Sequence, residues 1–414
     1  MHRRDFLKAA AAATIGIHAA GADNPETDET KIAKEYLFSI MPSREMAKNF
    51  IAGPQGPESL SKDEGFMYDP QLGWVHCAAI RNHGVNNTKA FYNYEPDGAR
   101  MIVNCRGKTS RIHVYGNSFT QCIQVNDGET WPEYLAAGFQ EPIRNYGVGA
   151  YGVYQAYLRM LKVETKNPAD YIILNIWEDD HYRSLDAWRP IRFGKVLPYG
   201  FTQPYLRVDT QANICRKFEN PLKESKDVYK LCDKDYVWQT YKDDPILKSV
   251  LSIYREGDVS RALDKPASVS VGIPVDERVK RDIAEKVTEI HTKQALYASE
   301  NILEWTEEFV KKTGRHFILM LSYSRRSMAS ELAGKPRFDQ SFMEWLKGKS
   351  YPVIDTRDAF TADYKNSRLD IDAYLDPFYV GKTGHHTPLG NYFTSLFLIS
   401  RLTKILDPLP LPYR

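Results

Sequence analysis

The chain has 414 residues, 43% of them hydrophobic and 26% charged, enough for one large globular domain or two small ones. With 55 basic against 53 acidic residues the formal net charge is +2, and no basic block stands out, so a nucleic-acid partner is not expected. The 26 tyrosines suit either carbohydrate-facing surfaces or ordinary half-buried positions.

The N-terminus reads Met1-His2-Arg3-Arg4-Asp5-Phe6-Leu7-Lys8, followed by an Ala-rich apolar run over 9–17 and the small-x-small sequence Ala20-Gly21-Ala22. The run is too short to span a bilayer stably, so 1–22 reads as a cleaved signal peptide and not an anchor. Arg-Arg-x-Phe-Leu-Lys resembles the twin-arginine export consensus. That resemblance implies the twin-arginine (Tat) export machinery as a partner and a periplasmic or secreted destination. No cysteine follows the run to carry a lipid, and no later stretch is long and apolar enough to cross a membrane, so stable membrane insertion is not expected.

Residues 23–109 are rich in Pro, Gly and Asn and read as a lead-in of loops, short strands and one helix near 31–49. From 110 the text changes. Short β-rich runs at 111–115 and 142–145 each end in glycine-containing turns, with helical spacing between them at 129–139 and after them at 152–162. Residues 170–177 form a run apolar on both faces, as a buried parallel strand requires. Further strands are expected at 316–322 and 351–355, a long charged helix at 276–312 and a final apolar helix at 388–406. Alternating strands and helices predict a parallel sheet covered on both faces. The alternation lapses over 184–275, which reads as an inserted cap beside the site or a small subdomain.

Five cysteines, Cys77, Cys105, Cys122, Cys215 and Cys232, leave at least one thiol unpaired in a monomer. Cys215 and Cys232 share one segment and could close a small loop. No Cys-x-x-Cys pair occurs, which argues against a cysteine zinc site.

Ligands in such sheets sit beyond the carboxyl ends of the strands. Four segments there carry chemistry. Gly116-Asn117-Ser118-Phe119-Thr120 puts a serine hydroxyl at a strand-to-helix turn, near helix N–H groups that favour negative charge; a plain turn or cap serine has the same local look. Asn145-Tyr146-Gly147-Val148-Gly149-Ala150 is small enough to aim backbone N–H groups at an oxyanion, or is a simple glycine turn. Glu178-Asp179-Asp180-His181 reads as a metal or substrate site or as a solvated acidic turn. Gly384-His385-His386-Thr387-Pro388-Leu389-Gly390 offers a base and a neighbour at a helix start, or two exposed loop histidines.

In order and spacing these blocks resemble the SGNH hydrolases, the GDSL-like esterases, from about 69 to the C-terminus. The resemblance implies a three-layer α/β/α sandwich with a flavodoxin-like parallel sheet of about five strands over 110–414. It implies ester hydrolysis with Ser118 as nucleophile, His385 as base, and backbone N–H groups of Ser118 and of Gly149 or Ala150 for the oxyanion. Three positions depart from the family pattern. Ala150 stands where the second block has glycine. Asp179, followed by Asp180, stands where the third block has an oxyanion-donating Asn, and an ionised carboxylate cannot donate. Lys382, Thr383 and Gly384 stand where an Asp precedes the histidine, leaving Asp372, Asp376 or a backbone carbonyl to orient His385. The expected substrate is a small-molecule or carbohydrate ester, with acetyl groups on carbohydrate as one form, and no metal or organic cofactor is required. An O-acyltransferase on the same scaffold and a binding protein that has lost the chemistry are the rival readings.

Overall fold

The computed structural model describes residues 28–52, 65–194, 202–253 and 281–414; the expected signal peptide lies outside them. Two antiparallel hairpins precede the main sheet: β1 (Phe66–Asp69) with β2 (Gly73–His76), and β3 (Ala79–Asn82) with β4 (Lys89–Tyr92). The sheet itself is built from β5 (Ile112–Tyr115), β6 (Ile143–Asn145) and β7 (Tyr171–Trp177), then β10 (His316–Ser322) and β11 (Val353–Asp355). Between β7 and β10 comes a third hairpin, β8 (Tyr205–Asp209) with β9 (Ile214–Phe218).

The sheet order is β11-β10-β7-β5-β6, and every pairing is parallel. This is the flavodoxin-like order. The chain runs from β5 outward to β6, then returns to β7 on the other side of β5. The carboxyl ends of β5 and β7 therefore flank the switch point, the place where sheets of this kind bind their ligands.

All seven residues of β7 are buried, as its central place demands. Ile172, Leu174 and Ile176 join one apolar cluster with helices Val153–Glu164 and Arg281–Thr313. Tyr171 and Ile173 join the other, with helices Trp131–Phe139 and Pro388–Leu402. Each fully buried Ile or Leu contributes roughly 2 kcal/mol, and a one-residue register slip in β7 would move each of these side chains into the other cluster and disturb the packing of both. The molecule is thus a three-layer α/β/α sandwich with a five-stranded parallel sheet.

The lead-in holds two helices where the sequence suggested one, Asp28–Ser39 and Arg44–Ala52. Pro42 interrupts the pattern, and the Ser43 hydroxyl accepts from Met46 N–H at 3.1 Å to start the second helix. The described part of 184–275 packs Leu206, Val228, Leu231, Val237, Ile246 and Val250 into the same cluster as Ile172 and Leu174. All five cysteines are free thiols, so Cys215 and Cys232 close no loop. No described helix is long and apolar enough to cross a membrane.

Candidate active site

β5 ends at Tyr115, and Gly116 follows with φ +153°, where an added Cβ would run into Thr120 and the Asn175 carbonyl. Only glycine fits that turn. Asn117 then caps helix Ser118–Gln121, its side chain accepting from Phe119 N–H at 2.8 Å. Ser118 is the first residue of that helix and is 7% exposed.

Ser118 Oγ lies 2.7 Å from Nε2 of His385, which precedes helix Pro388–Leu402. The other ring nitrogen, Nδ1, lies 3.1 Å from Oε1 of Gln124, and the same oxygen accepts from His385 N–H at 2.8 Å. Gln124 Nε2 donates to the His83 carbonyl at 2.8 Å, so the amide is oriented with its oxygen toward the histidine. An acceptor at Nδ1 selects the Nδ1–H tautomer and leaves the Nε2 lone pair facing the Ser118 hydroxyl. Burial, then the nearby His386, Arg183 and His83, push the His385 pKa down to about 3, so the ring is neutral at pH 7.

Gln124 is the site residue to which the sequence assigned no role. Asp372 and Asp376, the acids suggested for that task, pair instead with Arg325 at 2.8 and 2.6 Å and are largely exposed. His386 is buried with its ring edge against Phe119 at 5.3 Å and packs on Tyr379, as a packing residue does.

The loop carrying Gln124 is held from the lead-in. Cys122 and Gln124 have φ of 60° and 77°, conformations that cost energy for residues with a Cβ. The buried Arg100 guanidinium donates to the carbonyls of Cys122 at 2.7 Å and Val125 at 2.6 Å and pairs with Asp127 at 3.0 Å. Tyr92 hydroxyl accepts from Gln124 N–H at 2.6 Å and reaches His83 Nε2 at 2.6 Å.

Among the described residues, two backbone N–H groups, near the serine and in the glycine-rich loop, are left without an acceptor. No described group accepts from the N–H of Ser118 or of Ala150. The Gly149 N–H, by contrast, donates to His76 Nε2 at 2.8 Å, so of the two donors the sequence offered only Ala150 remains available. His76 is stacked between Phe66 and Tyr94, and burial keeps it neutral and able to accept. Ala150 adopts φ 67°, and its carbonyl accepts from Arg189 Nη1, which holds it in that left-handed conformation.

Asp179 has a different place from the one the family pattern implied. Its Oδ2 accepts from Arg183 Nε at 2.7 Å and its Oδ1 from Arg192 Nη1 at 2.7 Å, and its side chain is 1% exposed. Burial raises its pKa, but the two guanidinium groups outweigh burial and hold it below the usual range. It is a buried counter-ion and not an oxyanion group. The whole Glu178–His181 stretch is buried and not a solvated acidic turn: Glu178 accepts from Ser324, Asp180 from Asn117 and Trp177 N–H, and His181 meets Ser299. Burial pushes Asp180 up to about 7 against the pull of Arg183. Among the described residues no group of three or more His, Cys, Asp or Glu is placed to hold a metal ion.

Replacing Asp179 by Asn leaves the Arg192 guanidinium, whose side chain is fully buried, with Asp186 alone. Breaking a buried pair from one side costs about 3 kcal/mol. We therefore expect Asp179→Asn to lower the unfolding free energy read from urea denaturation by about 3 kcal/mol without raising turnover, even though Asn is the residue type that the family pattern has there. Higher turnover at unchanged stability would contradict the counter-ion role.

A cavity of about 940 Å³ lies elsewhere, lined by Leu72, Tyr154, Leu158, Lys162, Lys217 and Phe218. Its lining includes neither Ser118 nor His385 nor Gln124.

No family model matches the chain. No curated protein matches it either. Among solved structures, a lipolytic protein of the G-D-S-L family from Desulfitobacterium hafniense DCB-2 is similar, with 11% identity and a TM-score of 0.35 over 71% of this chain and 99% of that one.

Proposed function

We propose that this chain is an exported serine esterase that hydrolyses carboxylic esters through an acyl-enzyme on Ser118. The observation that carries the reading is the 2.7 Å contact of Ser118 Oγ with a neutral His385 whose Nδ1 faces an acceptor. Ser118 Oγ attacks the ester carbonyl carbon as His385 Nε2 takes its proton. The oxygen that becomes negative receives the N–H groups of Ser118 and Ala150, each such donor being worth on the order of 3 kcal/mol. His385 returns the proton to the departing alcohol. Water then adds to the acyl-enzyme with His385 again as base, the acid leaves and the serine is restored.

Gln124 orients the base in this scheme without charging it. An acidic third member stabilises the imidazolium that forms; an amide only fixes ring and tautomer. A base with a pKa of about 3 has a consequence for pH. Protonation inactivates it, so a lowered pKa moves the loss of activity to lower pH. We expect kcat/KM to stay level between about pH 6 and pH 4, where a histidine of ordinary pKa would lose roughly 75-fold. A fall of that size in initial rates would show that His385 titrates normally.

The proposed substrates are esters of short acyl groups, acetyl on carbohydrate among them, met outside the cytoplasm after twin-arginine export and cleavage near Ala22. The lack of a basic stripe and the 26 tyrosines are compatible with such a partner. Assays of acetylated glycans beside p-nitrophenyl esters of increasing chain length test this. Acetate release from the glycans is expected. Turnover of long-chain esters alone would refute the substrate while leaving the chemistry intact.

A further inference from the structure

Helix Asp180–Arg183 follows β7 and carries Arg183 to the site. The side chain is 10% exposed. Its Nε donates to Asp179 at 2.7 Å. Its Nη1 donates to Asp180 Oδ1 at 3.0 Å and to the Tyr151 carbonyl at 3.2 Å. The same Asp180 oxygen accepts from Asn117 Nδ2 at 2.8 Å.

These anchors bracket the site. Asn117 precedes Ser118 and Tyr151 follows Ala150, so Nη1 is tied to the chain neighbours of both unpartnered N–H groups. The guanidinium lies over the Trp177 ring at 4.8 Å, Trp177 stacks on Phe119 at 5.4 Å, and Phe119 packs on the His385 ring at 4.7 Å. The charge of Arg183 reaches His385 and disfavours its protonation. No described group accepts from Nη2. A charged, nearly buried fork, anchored beside the chain neighbours of Ser118 and Ala150, therefore keeps two unused N–H donors, and charge-assisted donors are the stronger kind.

We propose that Arg183 Nη2 is the third donor to the tetrahedral oxyanion, supplying from position 183 what the Asp at 179 cannot. This rests on the serine-esterase reading. Asp179 then has a purpose in the site: it accepts from Nε and so helps fix the plane in which Nη2 points.

The test is a crystal structure of the wild-type protein after reaction with a p-nitrophenyl alkylphosphonate, with Arg183→Lys measured alongside. The phosphoryl oxygen on Ser118 is expected within about 3 Å of the Ser118 and Ala150 nitrogens and of Arg183 Nη2. Arg183→Lys keeps a cation for the two aspartates but loses the fork. Its kcat per titrated site is expected to fall roughly 100-fold at little-changed KM, with a matching fall in the phosphonylation rate. A merely structural arginine would lower the urea midpoint and leave kcat per site unchanged, which overturns the proposal. So does an adduct in which Nη2 turns away from the phosphoryl oxygen. If Arg183→Lys does not fold, the adduct structure decides alone. If the wild type forms no adduct, the esterase reading itself fails, an outcome distinct from the other two.

Discussion

Replacing Ser118 by Ala is expected to lower kcat/KM for p-nitrophenyl acetate roughly 10⁴- to 10⁶-fold, the loss that follows when one member of a nucleophile–base pair is removed. Ser118 Oγ contacts His385 Nε2 at 2.7 Å. The other hydroxyl on the same short helix cannot take over: Thr120 is fully buried, and its Oγ1 accepts from Asn175 Nδ2 at 3.1 Å. Stability should barely move, because the change removes one partly exposed hydrogen bond worth about 1 kcal/mol. Steady-state kinetics and urea denaturation on the same preparation separate the two effects. A variant that unfolds would say that Ser118 serves the fold; one that keeps its activity would say that the hydroxyl is not the nucleophile.

Gln124→Ala comes second, with an expected loss in kcat of about 10²- to 10³-fold at little-changed KM. The substitution removes the one acceptor that receives both His385 N–H and the Nδ1 edge of the ring. The imidazole is then free to place its proton on Nε2, which presents a donor to Ser118 where a base is needed. The loss is expected to be smaller than for Ser118→Ala because the amide carries no charge to stabilise an imidazolium. The backbone at 124 stays in its left-handed conformation, because Arg100 holds the carbonyls on either side of it and Ala and Gln bear the same strain there. Stopped-flow kinetics with p-nitrophenyl acetate checks it. Unchanged kcat would mean that the ring is oriented by its packing on Phe119 alone.

What the sequence made legible is what lies close in the chain. β7 and β10 stand out because a central parallel strand must be apolar on both faces, and that demand is written in consecutive residues. The Ser118 turn and the His385 loop stand out because a glycine, a cap and a helix start must follow one another. The break at Pro42 is equally local, since proline cannot continue a helix, but helical spacing on both sides of it masks the break. The parts that were not legible depend on residues brought together by the fold. Gln124 meets a histidine 261 positions away, and His76 takes the Gly149 N–H across 73. No local pattern marks either pair. Asp179 looked like an electrostatic fault because its partners were not visible. Arg183 sits four residues on, at the spacing of a helical ion pair, and Arg192 thirteen residues on. The four-residue spacing was the one signal that could have been used.

The most direct test of the central claim is the intact mass of the protein, followed by peptide mapping, after treatment with an active-site phosphonate, for wild type and Ser118→Ala together. One adduct on Ser118 in the wild type and none in the variant is the predicted result. No adduct in the wild type, or an adduct that persists in Ser118→Ala, would contradict an activated serine at this site.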